Sequence, residues 1–172
     1  MAEAEVVLPG RACGSCTLCC RMLEIGELAK PAGEWCSHCD IGKGCRIYAT
    51  RPEPCRGFHC GWLTLPMMDD KWFPAKCRMM AFPSPLGDAI WVHVDPARPN
   101  AWREEPFYSD LKNWARAAAG RVNVAVFIRR RAIAILPEED IDLGVIGPDE
   151  RILYREELVG GRPVLKALKV KA

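Results

Sequence analysis

"CGSCTLCC" (Cys13–Cys20) packs four thiols into eight residues of a 172-residue chain that carries ten cysteines. Disulfides, metal ligation and thiol redox chemistry could each account for them. The choice decides the fold, because so short a segment buries too little apolar surface to hold itself together. The opening Met1-Ala-Glu-Ala-Glu is acidic, and Val6-Val7-Leu8 stops at Pro9-Gly10. No basic n-region or apolar h-region of a secretory signal is visible. No apolar run approaches the ~18–20 residues of a membrane span. A cytoplasmic protein with no membrane partner is therefore expected. Cytosolic thiols are kept reduced, so this cysteine density points to metal rather than to disulfides.

Nine of the ten cysteines lie between Cys13 and Cys60, and Cys77 stands apart. Cys13, Cys16 and Cys19 repeat a C-x2-C spacing, whose tight turn brings thiolates onto one metal centre. Three thiols in that series are how iron–sulfur proteins supply cluster ligands. Cys20 follows directly. Neighbours on a helical turn point about 100° apart, so one tetrahedral metal does not easily take both Cys19 and Cys20. Two centres, or a bridging arrangement, follow. A second group holds Cys36, Cys39, Cys45, Cys55 and Cys60. Two four-thiolate centres use eight ligands and leave one spare. A [4Fe–4S] cluster beside a four-cysteine zinc gives the same count, and nine thiolates with three bridging would serve three metals. His38 and His59, each beside a cysteine, read as hydrogen-bond donors to sulfur more readily than as ligands.

Together "CGSCTLCC" and "GCRIYATRPEPCRGFHC" (Gly44–Cys60) resemble the YkgJ-type cysteine-cluster family of zinc- or iron-chelating proteins. The pattern is C-x2-C-x2-C-C, then a cysteine, then G-C-x-I-Y-x-x-R-P-x-x-C-R-x-F-x-C. Cys13, Cys16, Cys19, Cys20, Cys36, Cys45, Ile47, Tyr48, Arg51, Pro52, Cys55, Arg56, Phe58 and Cys60 all match it. Cys39 departs from the commonest form, where an apolar residue stands; it is an added ligand or a small core residue, and its C-x2-C spacing favours the ligand. The family includes flagellin lysine N-methylases, which use S-adenosylmethionine, and members tied to iron–sulfur chemistry. The resemblance implies metal binding more firmly than any reaction.

The remaining motif residues have physical readings. Pro52 and Pro54 force an extended approach that aims Cys55 at the metal. Arg51 and Arg56 would offset the charge of a multi-thiolate centre. Trp35, Phe58 and Trp62 would roof the site. Cys77 reads as a buried free thiol.

After Pro83 the composition becomes ordinary. "AIWVHV" (Ala89–Val94) is a β-rich run. In "PFYSDLKNWARAAAG" (Pro106–Gly120), Phe107, Leu111, Trp114 and Ala118 form a helical stripe ending in a C-cap glycine. "VNVAVFI" and "AIAIL" flank Arg129–Arg131, read as an exposed turn. "RILYREELV" and "RPVLKALKV" flank Gly160-Gly161, so two hairpins are expected. The expected class is α+β: a Cys-rich, metal-stabilised module over residues 1–82, packed with a small antiparallel sheet and one or two helices over residues 83–172.

Twenty-four basic against 22 acidic residues leave a net charge of +2, with no basic block that would mark a nucleic-acid surface. "GKGC" lacks phosphate-loop spacing. Acidic pairs such as Asp69-Asp70 sit by turns, and His93 shares a strand face with Trp91 as a structural residue. The expectation is a metal-binding protein with an iron–sulfur cluster, preferred over zinc, acting in redox or metal binding, sensing or assembly, and not an enzyme by itself. Its metal ligands would be Cys13, Cys16, Cys19, Cys20, Cys36, Cys39, Cys45, Cys55 and Cys60. The alternatives are a protein lysine methyltransferase-like enzyme, for which no S-adenosylmethionine loop is visible, and a structural zinc module presented to a protein partner.

Overall fold

The computed structural model describes residues 7–117 and 122–172. The Met1–Val6 opening, and Ala118 and Gly120 of the expected helix end, lie outside the described residues. The chain forms two compact units, Met1–Phe82 with Asp95–Arg98, and Pro83–Val94 with Pro99–Ala172.

The first unit is built from pieces of five residues or fewer: α1 (Cys19–Met22), β1 (Cys39–Asp40), β2 (Gly44–Cys45), α2 (Glu53–Gly57), α3 (Gly61–Thr64), α4 (Pro74–Cys77) and β3 (Met79–Pro83). Proline sets several of the starts: Pro54 lies in the first turn of α2 and Pro74 opens α4, where a fixed φ and a missing N–H cost nothing. The expectation that the first sixty residues lack an apolar core is corrected, since Leu18, Met22 and Ile25 are buried there. Leu63, Met68, Trp72, Met79 and Met80, all from the later part of the unit, are buried. Leu18, Met22 and Met80 form one cluster, against which Cys16, Cys19 and Cys60 pack.

Three devices fix this small unit. Arg11 donates to the carbonyls of Trp62, Leu65 (3.2 Å) and Met68 (2.6 Å), satisfying acceptors left open at and beyond the end of α3. Asp95 is 0 % exposed and pairs with Arg21 (2.9 Å) and Arg78. Gly61 is required by space, since a Cβ there would meet the Ala81 carbonyl oxygen and Leu65 Cδ1, each at 2.9 Å.

The second unit contains β4 (Ala89–Val94), α5 (Phe107–Ala117), β5 (Asn123–Ile128), β6 (Arg131–Ile135), β7 (Asp140–Val145), β8 (Glu150–Val159) and β9 (Arg162–Lys171). Its strands β4 to β7 lie in chain order in one sheet. Here the expectation of a purely antiparallel sheet is corrected. β4 and β5 are parallel, with Ala89 opposite Asn123, while β5–β6 and β6–β7 are antiparallel. Parallel neighbours need a long crossover, and the segment carrying α5 provides it. The class is α+β with a mixed sheet and an antiparallel ribbon.

β5 and β6 read as continuous apolar runs because both of their faces are covered. Ala125, Phe127, Ala132 and Ala134 share one face, which packs Ile152, Tyr154, Leu165 and Ala167 of the β8–β9 ribbon. Val124, Val126, Ile133 and Ile135 are buried on the other, and α5 lies against β5 and β6. The buried face of α5 is Leu111, Lys112 and Ala115; of the expected stripe Leu111 is buried, while Phe107 and Trp114 are half-buried. Lys112 tolerates burial because its Nζ donates to the Leu136 carbonyl (2.5 Å) and to Asp140 Oδ1 (3.2 Å).

Both hairpins form. Ile128 pairs with Arg131 around Arg129, which has φ +57°. Arg131 itself belongs to β6 and pairs with Asp142, so the exposed turn is Arg129-Arg130. Val159 pairs with Arg162 around Gly160 and Gly161, at φ +59° and +79°. Positive φ at both positions is the two-residue turn that matches strand twist. Among the described residues no helix is long and apolar enough to cross a membrane.

Candidate metal centre

Eight of the nine candidate ligands line one cavity of about 260 Å³ in the first unit: Cys13, Cys16, Cys19, Cys20, Cys36, Cys45, Cys55 and Cys60. All ten cysteines are free thiols. Local backbone bonds deliver them. The Cys16 N–H donates to the Cys13 carbonyl (2.8 Å), closing the first knuckle, and α1 then presents Cys19 and Cys20. The Cys36 N–H reaches back to the Cys20 carbonyl (3.0 Å), tying the second cysteine group onto the first. Cys45 arrives on β2, opposite Cys39 on β1. The Cys55 N–H bonds the Pro52 carbonyl (3.0 Å), and Cys60 caps α3 by accepting from the Leu63 N–H (2.8 Å).

Cys39 does not line the cavity. It is buried, and its thiol is hydrogen-bonded with Cys20 and Thr17. Cys77, 5 % exposed, is also outside the lining; its Sγ donates to the carbonyls of Trp72 (3.5 Å) and Met79 (3.3 Å). His59 lines the cavity and His38 does not.

The flanking residues divide. Arg51 lines the cavity, with its guanidinium 3.7 Å from the Tyr48 ring centre. Its Nε and Nη1 are buried with no hydrogen-bond partner, so two donors stand ready for an acceptor that the protein itself does not supply. Arg56 instead pairs with Glu53 at 2.8 Å on the surface, since α2 turns it away. Phe58 and Trp62 line the cavity, braced by Phe82 (5.4 Å, edge-on) and Phe73 (4.7 Å). Trp35 does not; it lies under the Arg21 guanidinium at 5.6 Å.

One residue of the cavity wall escaped sequence reading. Lys30 is 6 % exposed, lines the cavity, and donates from Nζ to the carbonyls of Arg21 (2.9 Å) and Leu23. It is brought there by a bridge pairing Ile25 with Lys30, and nothing in the spacing of "ELAKPAGEWC" marks it. Burial lowers its pKa, while Cys36, Cys20, Cys19 and Cys55 pull it back up.

Burial raises the pKa of several of the thiols. Burial pushes Cys60 up to about 11 and raises Cys16 and Cys55. Cys39 is pushed up to about 11 by burial and by the neighbouring Cys20. The hydrogen bond with Cys19, and then burial, raise Cys20. Such thiols are weak nucleophiles, and a metal taking them as ligands would have to displace their protons. Among the described residues no three Cys, His, Asp or Glu side chains already converge on one ion position; the thiols ring a wider space. The donor set is soft sulfur throughout, with Lys30 and Arg51 to offset negative charge, and it fits a thiophilic metal or an iron–sulfur cluster.

Comparison with known proteins finds no match among family models, curated proteins or solved structures.

Proposed function

We propose that the chain is a cytoplasmic metal–thiolate protein, of the cysteine-cluster type that its motif resembles, acting in redox or metal binding, sensing or assembly. The observation that carries this reading is the gathering of eight thiols, drawn from positions 13 to 60, around one cavity. An iron–sulfur centre is favoured over zinc by room. A zinc ion sits about 2.3 Å from each sulfur and closes its ligands onto a point. A cavity of about 260 Å³ is several times the ~30 Å³ share of one liquid water, which suits a polynuclear centre with its own sulfides. Such a centre would supply electron transfer or a metal-loaded structural state. The chain's part is to hold it through the thiols, to place Lys30 and Arg51 against its charge, and to exclude water with Phe58 and Trp62.

Anaerobic purification with an absorption spectrum and assays of iron, sulfide and zinc tests this. Iron with sulfide and a broad visible band is the expected result. Colourless protein with zinc alone overturns the redox version, and protein with neither overturns the metal reading.

A further inference from the structure

Cys39 is outside the cavity lining and yet bonded to one of its thiols. It is 8 % exposed, and its thiol is hydrogen-bonded with Cys20 and Thr17. Cys20 itself lines the cavity and is half-buried, so a solute as small as peroxide meets Cys20 first. The backbone builds this contact. Three bonds lay the segment from Gly33 to Gly42 along the turn of α1: the Gly33 N–H to the Arg21 carbonyl (2.9 Å), the Cys36 N–H to the Cys20 carbonyl (3.0 Å), and the Gly42 N–H to Thr17 Oγ1 (3.2 Å). The Cys39 N–H then closes onto the Cys36 carbonyl (3.0 Å), at the start of β1. Other pairings are less well placed. Cys20 is also hydrogen-bonded with Cys19, but consecutive Cα atoms stand about 3.8 Å apart, short of the ~4.4–6.8 Å that a disulfide usually spans. Both residues also belong to α1, whose turn is closed by the Leu23 N–H on the Cys19 carbonyl (3.2 Å). Cys45 stands opposite Cys39 in register, whereas the thiol bond of Cys39 runs to Cys20.

We propose that Cys20 and Cys39 are a thiol–disulfide pair, through which a peroxide withdraws Cys20 from the donors of the cavity. The pair stands on the contact itself; its consequence, regulated metal release, rests on the metal–thiolate reading above. The reacting form is the Cys20 thiolate, and Lys30 stands within electrostatic reach of it. The Cys20 sulfur attacks one peroxide oxygen and the O–O bond breaks. Cys20 becomes a sulfenic acid, and the hydroxide released takes up the proton that Cys20 lost. The Cys39 sulfur then attacks the Cys20 sulfur. The S–S bond forms, the S–O bond breaks, and the Cys39 proton leaves with that oxygen as a second water. Two thiols have lost two electrons, and the peroxide is reduced to two waters. A dithiol reductant reverses the change. Cytosolic disulfides are mostly transient and of this redox-sensing kind, and Cys39 gives the pair its resolving thiol without spending a second cavity thiol.

The test uses the whole wild-type chain, purified anaerobically with whatever metal it carries and given a brief pulse of hydrogen peroxide. Iodoacetamide then blocks the remaining thiols, and the chain is digested without reductant. Fragmentation of the linked peptides by mass spectrometry assigns the bonded sulfurs. The first link formed should join Cys20 to Cys39, and dithiothreitol should remove it. In Cys39→Ser the link cannot form, so Cys20 should advance to sulfinic and sulfonic acid, which dithiothreitol does not reverse. Metal assayed beside the link should leave the wild type as the link forms and be taken up again after reduction. The wild-type map alone decides the pairing if the variant fails to fold. A first link between Cys19 and Cys20, between Cys39 and Cys45, or between any other two sulfurs overturns the inference, as does metal retained in full while the link forms. A chain that holds metal and forms no Cys20–Cys39 link overturns the inference and leaves the metal–thiolate reading intact. A chain that takes up no metal but forms the link upholds the pair and overturns that reading.

Discussion

Asp95→Asn is expected to loosen the first unit without touching any thiol. Asp95 is 0 % exposed, and its carboxylate meets Arg21 Nη1 at 2.9 Å, Arg78 Nη2, and the Ala97 N–H at 3.0 Å. The two arginine side chains keep 21 % and 31 % of their surface. Breaking a fully buried ion pair costs about 3–5 kcal/mol; partial hydration of both guanidiniums reduces this, and the retained amide oxygen still accepts one bond, leaving about 2–3 kcal/mol. With a urea slope of about 1.5 kcal/mol/M, the unfolding midpoint should fall by roughly 1.5 M. Cys77 supplies a reporter specific to this unit, because its buried thiol is outside the cavity. Brief iodoacetamide pulses across a urea series, read on the Cys77 peptide, give the midpoint. Arg21→Met, alone and combined with Asp95→Asn, closes a double-mutant cycle. A midpoint shift below about 0.3 M, or strictly additive effects, would refute the view that this pair anchors the residue following Cys20.

Three further outcomes are expected. Gly61→Ala drives a Cβ against the Ala81 carbonyl oxygen at 2.9 Å and should cost about 1–3 kcal/mol, measured by the same Cys77 pulse assay; a neutral effect would mean that the α3–β3 approach is looser than described. Burial lowers His93 to about 4, against about 6.5 in the unfolded chain, so its contribution is present above about pH 6.5 and is lost as pH falls towards 4, by up to ~3 kcal/mol. Urea midpoints at about pH 7 and about pH 4.5 should therefore converge more in His93→Phe than in the wild type; equal slopes would remove His93 from the acid response. Cys55→Ser should lose metal and solubility because a hydroxyl is a poor partner for iron or zinc, while Cys77→Ser keeps its metal and costs at most ~1–3 kcal/mol; equal metal loss in both would place Cys77 in the site.

The mixed α+β class and both hairpins were legible because local signals and tertiary demands agree there. Gly160-Gly161 supplies the turn that its flanking strands need, and the apolar runs of β5 and β6 are long enough to show. The parallel β4–β5 pairing was not legible, because partner choice depends on where α5 lays the chain and not on the composition of either strand. The face of α5 was legible only through Leu111, for a related reason: Lys112 is buried through bonds to Leu136 and Asp140 from elsewhere in the unit, which periodicity does not reveal. In the candidate site, cysteine spacing marked all eight cavity thiols, since knuckles are local. It did not separate Cys39, whose C-x2-C spacing resembles that of a ligand but whose thiol is buried and hydrogen-bonded with Cys20 and Thr17 outside the cavity lining. Lys30 left no signal, as its position follows from a backbone bridge, and Arg56 was misassigned because the turn of α2 decides its direction.

Native mass spectrometry of the anaerobically purified chain tests the central claim most directly, because it weighs what the eight thiols hold. The account predicts a mass above that of the polypeptide by its metal content, with sulfide where iron is present. The excess should vanish on acidification, which returns protons to the thiols. A chain that flies at the mass of ten free thiols, before and after reconstitution with iron and sulfide or with zinc, would contradict it.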